Sequence, residues 1–201
     1  MDSIRNIPRM GRMWPTAALI AVAGALLGGC ASRGTIAGRV HPASPDIVVM
    51  AWPVSGRAPQ APTDTARVVQ RDGRFEPRIL AVQAGAIVEF ANRDRIYHNA
   101  FCLAPTGHFD LGRYRPGQVR HTSFETPGFY EVFCELHPTE VLYVAVGRDR
   151  WHTNTLKDGT FVLAQLPRGE YVVSAWHPRL GSATARVSVP TKRAIRLNLR
   201  S

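Results

Sequence analysis

Beyond residue 34 the chain is a succession of short runs rich in β-branched and aromatic residues, each closed by glycine, proline or charged residues. TIAGRV (35–40) and DIVVMAW (46–52) come first. RILAVQ, AIVEFAN, HNAFCLA, FYEVFCEL and VLYVAVG follow, and GTFVLAQL, GEYVVSAWH, TARVSV and AIRLNL stand near the end. Runs of this length with turn signals between them specify strands, and no long amphipathic helix competes with them. The expected fold class is all-β, built as sandwiches. PVSGRAPQAPTDT (53–65) is rich in proline, glycine and small residues, which places a linker at 57–65.

The first thirty residues obey different rules. Arg5, Arg9 and Arg12 precede the apolar run AALIAVAGALLGGC, residues 17–30. A positive start, a short apolar centre and small residues before a cleavage point describe an export signal. The run has 14 residues, fewer than the roughly 20 a membrane-spanning helix needs. Its ending LGGC resembles the lipobox of bacterial lipoproteins. That resemblance implies a signal at 1–29, lipidation of Cys30, a tether at 30–34 and attachment to the periplasmic face of a membrane through lipid alone. By analogy with lipoprotein sorting in some bacteria, Ala31 after Cys30 is compatible with the outer membrane, which is expected over the inner.

From Cys30 onward the chain has 22 basic and 14 acidic residues, a net charge of +8. The charges are scattered and form no dense basic run, so no nucleic-acid partner is expected. A basic surface suits an acidic redox partner or anionic lipid.

Residues 133–140 read FCELHPTE. A thiol and an imidazole three positions apart, on a loop at a strand end, can point at one ion. Upstream stands the series Phe75, Pro77, Leu80, Val82, Gly85, Val88, Phe90, Asn92, Asp94, then His98-Asn99. The lead-in to the loop is PGFYEVF. Over 75–149 this order resembles the cupredoxins, the small copper proteins that include plastocyanin, and within them the methylamine-utilisation type. The resemblance implies one mononuclear copper held by His98, Cys134 and His137. The chemistry agrees: soft thiolate suits Cu(I), imidazole suits both oxidation states, and a site that shuttles one electron must tolerate both. His98 comes from another strand, so the fold sets the geometry before metal binds. His41, His108, His121, His152 and His177 lie outside the pattern and read as surface or packing residues.

With Cys30 used for lipid, Cys102 and Cys134 remain, and two cysteines in an oxidising compartment commonly pair. Cys102 follows His98 by four residues, about 13 Å on an extended strand at roughly 3.3 Å per residue. With His98 at the metal, Cys102 is out of reach of Cys134 and reads as a buried free thiol.

The related proteins place a methionine three residues after the loop histidine as a weak axial ligand. Here that position is Glu140. Met1, Met10 and Met13 belong to the signal, and Met50 sits in another segment. Three placements of Glu140 are open. It is the axial ligand; or it faces solvent and leaves a three-coordinate or water-bound copper; or the site has left electron transfer. A hard anionic donor stabilises Cu(II) over Cu(I), which lowers the reduction potential and displaces the spectrum from ordinary blue copper. A Cys-His-His-Glu set also suits tetrahedral zinc.

Residues 157–178 read KDGTFVLAQLPRGEYVVSAWHP. This resembles the carboxypeptidase-regulatory-like, or transthyretin-like, sandwich. The opening strands of such a domain, AGRV (37–40) and IVVMAW (47–52), stand at the front. The expectation is one sandwich from 35–56 plus 151–201, with a cupredoxin Greek-key sandwich at 66–150 inserted into it; the alternative is two consecutive domains side by side. Ser174, His177 and Asp158 resemble a triad on paper, but no nucleophile elbow supports one.

The expected function is a lipid-anchored carrier of single electrons between redox partners such as a cytochrome or oxidoreductase, and not an enzyme. Copper or zinc handling without electron transfer, a metal-free envelope module, and a small copper redox enzyme using an open position are the alternatives.

Overall fold

Alternation along each run decides which face it buries, and two runs bury both. The computed structural model describes residues 33–55 and 60–200; the expected signal and Cys30 lie outside them. The strands are β1 (Gly34–His41), β2 (Val48–Pro53), β3 (Thr65–Arg71), β4 (Arg74–Glu76), β5 (Ile79–Gln83) and β6 (Ile87–Asn92). Next come β7 (Phe101–Cys102), β8 (Phe109–Asp110), β9 (Val119–Ser123), β10 (Gly128–Phe133) and β11 (Val141–Gly147). The last five are β12 (Trp151–Asn154), β13 (Thr160–Leu166), β14 (Gly169–His177), β15 (Gly181–Val189) and β16 (Ile195–Asn198). Among the described residues there is no helix, so the protein is all-β.

Four sheets result, in the orders β13-β1-β16, β12-β2-β14-β15, β5-β11-β10-β7-β8 and β4-β3-β6-β9. The first two share a core that includes Ile36, Val49, Ala51, Trp151, Phe161 and Val173. The last two share a core that includes Val68, Phe75, Phe90, Phe124, Val132 and Leu142. The front strands β1 and β2 therefore pair with strands from the end of the chain, and β3 to β11 pair among themselves.

The continuous apolar runs mark where the two pairs of sheets meet. In β2, Val49 and Ala51 enter the first core, while Val48 and Met50 pack with Ile79 and Ala145. In β11, Leu142 and Val144 enter the second core, and Ala145 with Tyr143 faces β2 and β14. A strand covered on both faces has no polar side to show, so it reads as VVMA or VLYVAV. Burying each such valine, isoleucine or methionine contributes about 1.5–3 kcal/mol. Phe129 stacks on Trp176 across this junction, with centroids 4.2 Å apart and planes at 15°.

Local chemistry sets the turns. Gly159, at φ +81°, closes the turn between Asp158 and β13, and a Cβ there would lie 2.5 Å from Val40 O. Asp158 accepts from both the N–H and the hydroxyl of Thr160. Each core also holds a tyrosine corner. Tyr130 donates to Thr126 O at 2.6 Å and Tyr171 to Pro167 O at 3.0 Å, each reaching back four residues.

The structure departs from the sequence expectation at several strands. HNAFCLA yields only β7 and an isolated bridge from His98 to Tyr114, and residues 98–100 are buried. TARVVQR, RFE, VRHTS and WHTN form β3, β4, β9 and β12, although polar or charged residues break up their apolar patterns. β3 begins at Thr65, the last residue of the expected linker.

Candidate metal centre

Cys134 is the first residue after β10, and two successive turns follow it. His137 N–H bonds Cys134 O at 3.3 Å, and Glu140 N–H bonds His137 O at 2.9 Å. Two turns of three residues each bring positions 134, 137 and 140 to one side of the loop. The side-chain oxygen of Asn99 accepts from Glu135 N–H at 2.7 Å and ties the loop to the segment that carries His98.

His98 sits on the loop that leaves β6 in the opposite sheet and leads into β7, and Asn92 folds that loop. The Asn92 amide donates to Ile96 O at 2.8 Å and Tyr114 O at 3.2 Å, and its oxygen accepts from Asp94 N–H at 2.9 Å. Two backbone bonds with Tyr114, of 3.1 and 2.8 Å, hold His98 itself. The His98 side chain is fully buried.

The four side chains then converge. One ligand atom from each of His98, Cys134, His137 and Glu140 lies within 4.8 Å of the others, and no other such group of three or more occurs among the described residues. Glu140 Oε2 is 3.0 Å from His98 Nδ1 and 3.4 Å from His137 Nδ1. Cys134 Sγ is 3.7 Å from His98 Nδ1 and 3.5 Å from His137 Nδ1. Bonds of roughly 2.0–2.3 Å directed tetrahedrally put donors about 3.3–3.6 Å apart, close to these separations.

Electrostatics point the same way. Asp94 Oδ2 lies 3.2 Å from His98 Nε2 and also accepts from Gly73 N–H at 3.3 Å. A carboxylate only accepts, so His98 presents N–H to Asp94 through Nε2 and turns Nδ1 toward the cluster. There Nδ1 meets a carboxylate oxygen, a sulfur and a second imidazole nitrogen. A cation brings such acceptors together, either a metal ion or a proton on Nδ1. Glu140 Oε1 is buried and has no hydrogen-bond partner. An orphaned buried carboxylate oxygen is costly and fits a bound cation. Burial pushes the Cys134 thiol up, and the Glu140 charge adds to this; backbone N–H groups of Asn99 and Leu136 pull it down. A site of this kind can hold a metal ion through two imidazoles, a thiolate and a carboxylate.

Of the placements open for Glu140, the solvent-facing one fails, since its side chain is fully buried. Met50 packs at the junction with Val48, Ile79 and Ala145, away from this cluster. Cys102 is fully buried, and both Cys102 and Cys134 are free thiols. His41, His108, His121, His152 and His177 take no part in the cluster.

Two residues around the site had no signal of their own. Asp94 stands in the quoted series, but its contact with His98 depends on the loop that Asn92 folds. Tyr114 is buried beside the site, its hydroxyl donating to Gln70 Oε1. Burial drives its pKa up, and the charges of Glu140 and Cys134 drive it further.

No family model matches the chain. It is similar in fold to a purple cupredoxin from Nitrosopumilus maritimus, with 25% identity over 40% of this chain and 98% of that one, at a TM-score of 0.36. It is similar to a Cu-containing nitrite reductase from Thermus scotoductus, at 24% identity and a TM-score of 0.39; 47% of this chain is covered but only 25% of the reductase. A reduced amicyanin variant gives 25% identity, 48% and 98% coverage, and a TM-score of 0.38.

Proposed function

We propose that the protein is a mononuclear copper protein of cupredoxin type that carries single electrons between redox partners. His98, Cys134 and His137 would hold the ion, with Glu140 as the fourth donor. The observation that carries this reading is Glu140 itself, a buried carboxylate with one oxygen on both imidazoles and the other unpartnered. Thiolate and carboxylate together supply two negative charges, which a dication neutralises inside the protein. Copper, when bound, supplies the reversible one-electron couple. The chain's own residues keep the ligands in place, exclude water from His98 and Glu140, and leave His137 partly exposed as the way out.

The reading extends to the rest of the chain. Residues 66–150 make the cupredoxin domain, and 35–56 with 151–201 make a carboxypeptidase-regulatory-like sandwich that encloses it in sequence. Lipid on Cys30 tethers both to the periplasmic face of a membrane, with the outer membrane favoured. The partner is a redox protein such as a cytochrome or oxidoreductase, and the chain is not itself an enzyme.

The donor set also favours a second reading. A Cys-His-His-Glu cluster suits tetrahedral zinc and a metal-handling role without electron transfer. Titrating the full chain with Cu(II) separates the two. An intense thiolate-to-copper band with reversible voltammetry supports the carrier. Copper binding without a reversible couple, or preference for zinc, supports handling.

A further inference from the structure

Four segments frame the pole where the ligands meet. Hairpin 71–78 reaches it through the bond from Gly73 to Asp94. Loop 93–97 leads into His98, turn 113–117 contains its bridge partner Tyr114, and the loop 135–140 carries the remaining ligands. On these segments Arg71, Arg74, Arg78, Arg93, Arg95 and Arg115 are exposed. None of the six is in an ion pair with a described residue, whereas Arg113 pairs with Glu135. The other exposed acids on the same segments are Asp72 and Glu76, so six guanidinium groups stand against two carboxylates. Arg74 and Arg78 share a surface cleft of 390 Å³ with Thr139 and Glu140.

Apolar surface lies on the same loop as Arg93 and Arg95. Ile96 and Tyr97, just before His98, are 47% and 52% exposed. His137, with a side chain 26% exposed, is the one ligand that reaches the surface appreciably; those of His98 and Glu140 are at 0%. Protein interfaces favour an apolar centre inside a charged rim, and the rim charge steers the encounter.

We propose that this pole is the docking face for an acidic electron-transfer protein, steered by the arginine collar and seated on Ile96 and Tyr97 beside His137. This rests on the electron-carrier reading. In the step it serves, one electron leaves the reduced site through the His137 edge and the partner gains it; no atom or proton is transferred. An anionic membrane offers the same charge, but a headgroup layer over His137 covers the exit without accepting the electron. Two apolar side chains also make a smaller anchor than the apolar face of a membrane-surface helix.

The test uses the full chain loaded with copper and reduced. It is mixed in stopped flow with hexacyanoferrate(III), an anionic oxidant, and with tris(phenanthroline)cobalt(III), a cationic one. Ionic strength is varied from about 0.01 to 0.3 M. The hexacyanoferrate rate is expected to fall with salt by roughly tenfold or more, and the cobalt rate to rise. The double variant Arg74→Glu, Arg95→Glu flattens or reverses both trends with its copper spectrum unchanged. Arg186→Glu with Arg196→Glu, on the other sandwich, changes them little. Equal effects from the two double variants overturn the proposal, since net charge alone is then at work. So does binding to phosphatidylglycerol vesicles that Arg74→Glu, Arg95→Glu abolishes while leaving the hexacyanoferrate rate intact. If neither oxidant reacts, the electron-carrier reading falls and the docking face with it.

Discussion

The carboxylate of Glu140 lies 3.0 Å from Nδ1 of His98, and both side chains are fully buried. They are 42 residues apart in the chain and come from separate loops, β6–β7 and β10–β11. A buried carboxylate beside an imidazole, with its second oxygen unpartnered, is stabilised by a cation close by, a metal ion or a proton on Nδ1. The other contacts of the site gain their meaning from that pair.

Replacing Glu140 with methionine removes the anion and offers a soft neutral donor that favours Cu(I). The reduction potential is expected to rise by about 60 mV or more, one decade in relative affinity for a one-electron couple. Voltammetry of the copper-loaded Glu140→Met protein checks this. An unchanged potential removes Glu140 from the coordination sphere.

Asp94 acts on the site through His98, by holding the proton on Nε2. In Asp94→Asn the bond from Gly73 can persist, but the charge that makes His98 a stronger donor is gone. Copper affinity is expected to fall by about 10–100-fold, and the potential to rise. Competition titration and voltammetry read the two effects, and Asp94→Glu should restore part of both. A change in melting temperature alone would reduce Asp94 to a loop fastener.

Copper uptake should depend on pH through Cys134. Its thiol is held up by burial, and binding must release that proton. Apparent affinity is expected to rise about tenfold per pH unit between about 7 and 9. In the metal-free protein the sign is reversed. The folded chain holds the thiol proton more tightly than the unfolded chain does. Stability is therefore complete below the ordinary thiol value of 9.0 and falls as the pH rises toward the folded value. Cys102, also raised by burial, adds to this loss. Urea midpoints measured on either side of that value check the slope, and a flat profile would contradict it.

The stack of Phe129 on Trp176 couples the two sandwiches. A double-mutant cycle with Phe129→Ala and Trp176→Ala should return a coupling of about 1 kcal/mol in urea unfolding. Strict additivity would show that the stack contributes nothing beyond the area each ring buries.

Part of the candidate site was legible in the sequence. The spacing of Cys134, His137 and Glu140 matches two three-residue turns, so a linear pattern carries a three-dimensional fact. His98 was legible through the cupredoxin-like series of residues that ends in His98-Asn99. Asp94 was not, because its role depends on how the Asn92 side chain bends the loop. The strands β3 and β9 were obscured for a related reason: β3 (TARVVQR) and β9 (VRHTS) interleave polar and charged residues with few apolar ones, so neither stands out as an apolar run.

By itself the sequence determined the chemistry available: a thiol, two imidazoles and a carboxylate in strand-forming surroundings, with no methionine nearby to take the carboxylate's place. Tertiary structure alone decided that the carboxylate turns inward, that Asp94 stands behind His98, and that separate segments bearing arginines meet around the ligand loops. Those outcomes depend on which strands lie side by side, and long-range pairing is set by the burial of whole sheets, which no local pattern encodes.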